Sequence, residues 1–181
     1  TTTVKTRVIG NNHQLIRVDD ETIEELGGQA ADSFVNRCIT LMEKEKPSVI
    51  IFEDYDKGVL SAQVIDRLVN ASFIHGIPTA VDPKKKHFNA YRGVTLFKPN
   101  LHELKSGLGI SIDTIDVPNL KKAVDELLNE RSITMVMVTL SESGVFIATK
   151  DEAVLLPAHV RNISDVSGAG DTVISVAALC L

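Results

Sequence analysis

From residue 34 to residue 181 the chain alternates two apolar patterns, and that alternation restricts the fold more than any other feature. Phe34, Val35, Cys38, Ile39 and Met42 recur at helical spacing; Pro47 then precedes SVIIFE, an unbroken apolar run of strand length. The step repeats: SAQVIDRLVNASFIHG reads as a helix ending at Gly76, TAVD and VTLFKP as strands, and LHELKSGLG as a short helix. Leu120, Ala123, Val124, Leu127 and Leu128 mark another amphipathic helix. The run TMVMVTL that follows suits a parallel strand covered on both faces. Helix and strand in alternation predict a layered α/β fold with a mostly parallel sheet. GVFIATK and AVLLPA, joined through Asp151 and Glu152, predict an antiparallel addition to it. The opening TTTVKTRVIGNNHQLIRVDDE predicts a β-hairpin turning at Asn11 and Asn12. Residues 1–20 are thus expected as a hairpin and residues 21–181 as one body.

The composition excludes several functions. With 44% hydrophobic and 24% charged residues, the chain has material for one sizeable core. A net charge of −5, with both signs mixed, offers no basic tract for nucleic acid and no face for an anionic membrane. The apolar runs are far shorter than a membrane span and no charged-then-apolar leader opens the chain, so a cytoplasmic protein is expected. Cys38 and Cys180 lack ligand-spaced partners and read as reduced core residues. None of His13, His75, His87, His102 and His159 has such a partner either, and all five read as surface or loop residues. Both ends read as unfinished, which predicts a longer natural protein.

In open α/β sheets ligands lie beyond the carboxyl ends of the strands. Here those ends carry Asp54-Tyr55-Asp56-Lys57, Asp82-Pro83-Lys84, Lys98-Pro99-Asn100 with Glu103 one turn on, and Thr139 with Ser141 and Gly144. A capped loop explains any one of them, but the set is explained better by a site. The last helix opens with DVSGAGD. Its glycines could merely shape a turn and Asp171 merely oppose the macrodipole; alternatively, open backbone N–H groups cradle an anion beside an acid that handles a proton. Neither the G-x-x-x-x-G-K-[ST] loop nor a three-glycine dinucleotide fingerprint occurs.

DVSGAGD resembles the C-terminal signature of the ribokinase-like carbohydrate kinases of the PfkB family, and KPNLHE resembles their Asn-x-x-Glu motif. TTTVKTRVIGNNHQLIRVDDE, DYDKGVLS, DPKKKHFNAYRGVTLFKPNLHE, VTLSESGVFI and DVSGAGDTVIS extend the resemblance over Thr1 to Leu181. They are most similar to members that phosphorylate the anomeric hydroxyl of D-glycero-D-manno-heptose 7-phosphate in ADP-heptose synthesis for the lipopolysaccharide core. The resemblance implies a three-layer α/β/α fold whose hairpin is part of a lid, with Arg7 and Arg17 on its strands, and a homodimer through that lid. It also implies ATP and Mg²⁺ as cofactors and a small sugar phosphate as substrate.

Residue by residue, Asp171 would be the general base, and the amides of Gly168, Ala169 and Gly170 would hold the transferring phosphoryl group. Asn100 and Glu103 would organise Mg²⁺ through water; a helix cap explains the pair as well. Thr139, Ser141 and Gly144 would form the nucleotide-side loop, while Lys98 and Lys84 would neutralise phosphate charge. Lys84 also opens a run of three lysines that suits a solvated turn. Asp54, Asp56 and Lys57 would form the sugar-side loop, although related kinases tend to have Gly where this chain has Asp56. The family pattern has further portions before and after this stretch and leaves room for a fused nucleotidyltransferase domain. Two alternatives stay open: another sugar or nucleoside as acceptor, or a piece that binds nucleotide without turnover.

Overall fold

Six strands in sequential order form the central sheet of the computed structural model, which describes residues 3–10, 13–158 and 168–181. These are β3 (Ile50–Glu53), β4 (Thr79–Asp82), β5 (Leu96–Phe97), β6 (Met135–Thr139), β7 (Val145–Ala148) and β8 (Ala153–Leu156). β3 to β6 pair in parallel, and β7 and β8 add antiparallel, as the two patterns predict. β5 is shorter than VTLFKP suggests. Pro99 has no N–H for the ladder, so the strand closes with Lys98 N–H donating to the Val81 carbonyl at 2.8 Å.

Helices cover the sheet unequally. α1 (Gly28–Glu45), α2 (Ala62–Ile74), α3 (Leu101–Leu108) and α4 (Val117–Asn129) lie on one face, and α5 (Ala169–Ala178) on the other. The period-two alternation of the strands divides the core accordingly: Phe52, Val81, Phe97, Val136 and Val138 meet α1 to α4, whereas Ala80 and Leu96 meet Ile174 and Ala178. Local signals set the helix starts. Ser61 accepts from Val64 N–H, Asp116 from Asn119 N–H, and Asn100 forms a capping box with Glu103. Gly168 begins α5 at φ 74°, a conformation that glycine adopts without a Cβ penalty.

A connection that reads as irregular in the sequence supplies two of the largest core residues. Between β4 and β5, Phe88 and Tyr91 are fully buried; Phe88 stacks edge-on against Phe97 at 5.0 Å and Tyr91 against Phe52 at 5.9 Å. Two expectations are corrected here. Cys180, in the turn after α5, is exposed rather than core, and His87 is buried in its loop rather than at the surface, 3.3 Å from Glu25. No helix among the described residues is long and apolar enough to cross a membrane.

The hairpin strands β1 (Val4–Gly10) and β2 (His13–Asp20) form a separate two-stranded sheet. Val8 opposite Ile16 and Thr6 opposite Val18 share one face with Val4, while Lys5, Arg7, Arg17 and Asp19 share the other. Its turn residues, Asn11 and Asn12, lie outside the described residues, as do Asp165 to Ser167 of DVSGAGD and His159.

Candidate active site

The carboxyl ends of β3 and β4 and the start of α5 bring three acids together: one carboxylate oxygen each of Glu53, Asp82 and Asp171 lies within 4.8 Å of the others. Sequence spacing brings the first two there, since each closes an apolar strand. The third arrives because α5 packs on β3 and β4 from the opposite face. Charge balance comes from Lys98, the residue after β5, whose ammonium sits 3.1 Å from Asp82 with 3% of its side chain exposed. Burial pushes the Asp82 carboxyl above the usual range, opposed by Lys98 and Lys84. Glu53 is pushed up as well, by burial first and then by the charges of Asp82 and Asp171.

A second layer of charge continues along the strand ends. Lys84 pairs with Glu103 at 2.6 Å and lies 3.9 Å from Asp82. Burial pulls its ammonium down, but the hydrogen bond to Glu103 and the nearby carboxylates leave it above the ordinary value. Lys84 is therefore part of the cluster and not a solvated turn residue. Asn100 and Glu103 form the reciprocal cap: Asn100 N–H donates to Glu103 Oε2 at 2.9 Å and Glu103 N–H to Asn100 Oδ1 at 2.8 Å. Each of these oxygens has a second lone pair, so the pair fits a hydrated Mg²⁺ held through its waters.

The sugar-side stretch is divided. Asp54 is buried and accepts from Tyr91 O–H at 3.0 Å and Asp56 N–H at 2.9 Å, so its carboxylate fixes the loop. Asp56 takes φ 54°, a conformation that glycine tolerates better, which gives a physical sense to the departure noted at this position. Lys57 pairs with Glu21, next to the hairpin. Tyr55 O–H donates to Asp171 Oδ2 at 3.1 Å. Lys5, Glu21, Glu53, Tyr55 and Lys57 line a cavity of about 290 Å³ between hairpin and strand ends.

On the far side, Thr139 N–H donates to the Pro99 carbonyl at 3.1 Å, and Thr139 bridges to Asn100. Ser141 opens a single 3₁₀ turn and Gly144 follows it at φ 98°. A Cβ at Gly144 would meet the Leu156 carbonyl oxygen at 1.9 Å, so strand packing alone demands the glycine. At Gly170 a Cβ would touch Asp82 and Lys98 at ordinary distance, 3.6 and 3.8 Å, so the start of α5 rests directly on that ion pair.

Tyr55 and Asp82 fall in the strand-end set without a role of their own, and Glu53 and Tyr91 fall outside it. The strand-end position was a signal for Glu53 and Asp82. Nothing in the sequence signals Tyr55 and Asp171 meeting across 116 residues.

Lysines and carboxylates thus gather at the carboxyl ends of the parallel strands, where α/β enzymes hold their ligands. The chain belongs to the pfkB family of carbohydrate kinases, whose model matches residues 1–181. It is 35% identical over 183 residues to "Bifunctional protein HldE" of Campylobacter jejuni, covering 99% of this chain and 38% of that protein. It is 33% identical over 180 residues to the Koribacter versatilis protein of the same name, covering 99% and 36%. The chain thus spans little more than a third of the length of these relatives. Among solved structures, phosphofructokinase-2 from Escherichia coli in complex with fructose-6-phosphate superposes with a TM-score of 0.73 at 19% identity, over 98% of this chain and 56% of that one. Arabidopsis thaliana ribokinase complexed with ribose and ATP superposes with a TM-score of 0.58 at 16% identity, over 82% and 44%. At those identities the likeness establishes the ribokinase-like fold.

Proposed function

We propose that the chain is the kinase portion of an enzyme that transfers the γ-phosphoryl group of ATP to the anomeric hydroxyl of D-glycero-D-manno-heptose 7-phosphate. The observation that carries the reading is Asp171 at the open start of α5, its carboxylate gathered with those of Glu53 and Asp82 and reached from the cavity by Tyr55. The acceptor follows from the resemblance of DYDKGVLS, DPKKKHFNAYRGVTLFKPNLHE and DVSGAGDTVIS to kinases of heptose 7-phosphate, and the similarity to relatives named HldE supports it.

The first N–H groups of α5 have no helical partners, and the macrodipole favours an anion there. Ala169 and Gly170 aim these donors at the migrating phosphoryl group, and Gly168 lets the chain turn into the helix. Asp171 takes the proton of the anomeric hydroxyl as the new O–P bond forms; the bond from Pγ to the β–γ bridging oxygen breaks and ADP leaves. Lys98 and Lys84 balance phosphate charge. Thr139, Ser141 and Gly144 border the nucleotide, while Asp54, Asp56 and Lys57 border the sugar phosphate. Asn100 and Glu103 would hold hydrated Mg²⁺, which when bound would neutralise charge on the nucleotide phosphates. Residues 1–20 act as part of a lid over residues 21–181. The exposed apolar face of Val4, Val8, Ile16 and Val18 supports pairing of two lids in a homodimer. The enzyme acts in the cytoplasm, and a fused nucleotidyltransferase domain accounts for the greater length of the relatives.

A second reading keeps the fold and changes the acceptor, favoured by the left-handed Asp56 in the sugar-side loop. Phosphorus NMR of the full-length protein with ATP, Mg²⁺ and a panel of sugars decides. A new anomeric phosphate from heptose 7-phosphate is the expected result; consumption of a different acceptor alone would establish the second reading.

A further inference from the structure

We infer that Tyr55 is a positioning residue that ties occupancy of the cavity under the hairpin to the carboxylate of Asp171. The inference rests on the reading of Asp171 as the base.

Packing does not account for this side chain, because Tyr55 is 55% exposed. What places it is its two sides. The residue lines the cavity with Lys5, Glu53 and Lys57, and its hydroxyl reaches out of that set to Asp171 Oδ2 at 3.1 Å. The backbone beneath it is anchored: the preceding Asp54 is held by Tyr91 O–H and by Asp56 N–H. The donor is the phenol, since partial burial, the hydrogen bond to Asp171 and the charges of Asp171, Glu53 and Asp82 all keep its proton above the ordinary phenol range.

Asp171 needs such a partner. The groups facing it are Glu53 and Tyr55 from the end of β3, Asp82 from β4, and Lys98 after β5, with Lys84 behind Asp82. Two of these are carboxylates, which repel it, and Lys98 is committed to Asp82. The Tyr55 hydroxyl thus fixes the carboxylate by Oδ2 and leaves Oδ1 for the acceptor. A sugar entering the cavity meets the Tyr55 ring and so acts on the base that will deprotonate it.

Tyr55→Phe in the full-length protein removes only the hydroxyl. A carboxylate that loses a donor holds its proton to higher pH. The acid limb of kcat/KM for the acceptor is therefore expected to move to higher pH. A fall in kcat of about fivefold, the size of one ordinary hydrogen bond, is expected with it, and no change in KM for ATP. The carboxyl ¹³C chemical shift of Asp171 in ligand-free protein at neutral pH, assigned by its loss in Asp171→Asn, should differ between Tyr55→Phe and the wild type, because the carboxylate loses the donor at Oδ2. An unmoved ¹³C signal together with a wild-type pH profile would overturn the inference, as would collapse of the melting transition, which would make Tyr55 a structural residue. Full activity in Asp171→Asn would instead remove the base reading, while the ¹³C signal still reports whether Tyr55 holds the carboxylate.

Discussion

The hairpin and the strand ends face each other across one cavity, yet they carry charge in opposite ways. On the hairpin, Arg17 pairs with Asp19 at 2.9 Å with 48% and 19% of the side chains exposed, and apolar Val4, Val8 and Ile16 stand open. At the strand ends, Lys98 pairs with Asp82 at 3.1 Å with 3% and 8% exposed. An exposed pair contributes about 0–1 kcal/mol, and removing one partner of a buried pair costs about 3–5 kcal/mol. The hairpin leaves its charges and its apolar side chains open to solvent; the strand ends hold charges in place before any ligand arrives.

The largest effect should come from breaking that pair. Lys98→Met leaves buried Asp82 with only the more distant Lys84, 3.9 Å away, and thermal denaturation should show a loss of about 3–5 kcal/mol, against less than about 1 kcal/mol for Arg17→Ala. Similar losses would erase the contrast between the two regions. Next comes Gly58→Ala, at the seam between them. Gly58 holds φ 82°, its carbonyl accepts from Leu26 N–H at 2.8 Å, and a Cβ would meet the Glu24 carbonyl oxygen at 2.0 Å. Urea denaturation should show a loss of about 1–3 kcal/mol from backbone strain. Asn100→Ala should cost about 1 kcal/mol through the lost cap on α3, measurable by the same means without Mg²⁺.

The smallest effect sharpens the cost of the site. Burial and neighbouring acids raise the Glu53 carboxyl above its reference value of 4.5. A raised carboxyl favours folding below the unfolded value and loses that contribution as pH rises through the folded one. Glu53→Gln should therefore melt with the wild type below pH 4.5 and above it at pH 7. A variant that melts lower at pH 7 would mean that Glu53 is held by attraction.

Much of the fold was legible because periodicity reports burial. Val35 and Met42 on α1 and Leu120, Val124, Leu127 and Leu128 on α4 are buried as their spacing implies, whereas the run TMVMVTL, read as covered on both faces, buries Val136 and Val138 fully and leaves Met135 and Met137 half-buried under the short α5. The 83–95 connection was not legible as core. Phe88 and Tyr91 follow no period there, and only the folded chain brings them under Phe97 and Phe52. The site divides in the same way. Strand-end logic and the family resemblance located Asp171, Lys98, Lys84, Asn100 and Glu103 as neighbours. They did not disclose that Asp54 faces Tyr91, nor that Tyr55 reaches from the cavity to Asp171, since both contacts depend on side-chain direction across distant elements.

The most direct test of the kinase reading is turnover by the full-length Asp171→Asn protein with ATP, Mg²⁺ and heptose 7-phosphate, alongside ATP affinity by calorimetry. Loss of a positioned base predicts a fall in kcat of about 10²–10⁴ with ATP binding retained. Wild-type turnover in that variant would contradict the assignment of Asp171 as the group that receives the acceptor's proton.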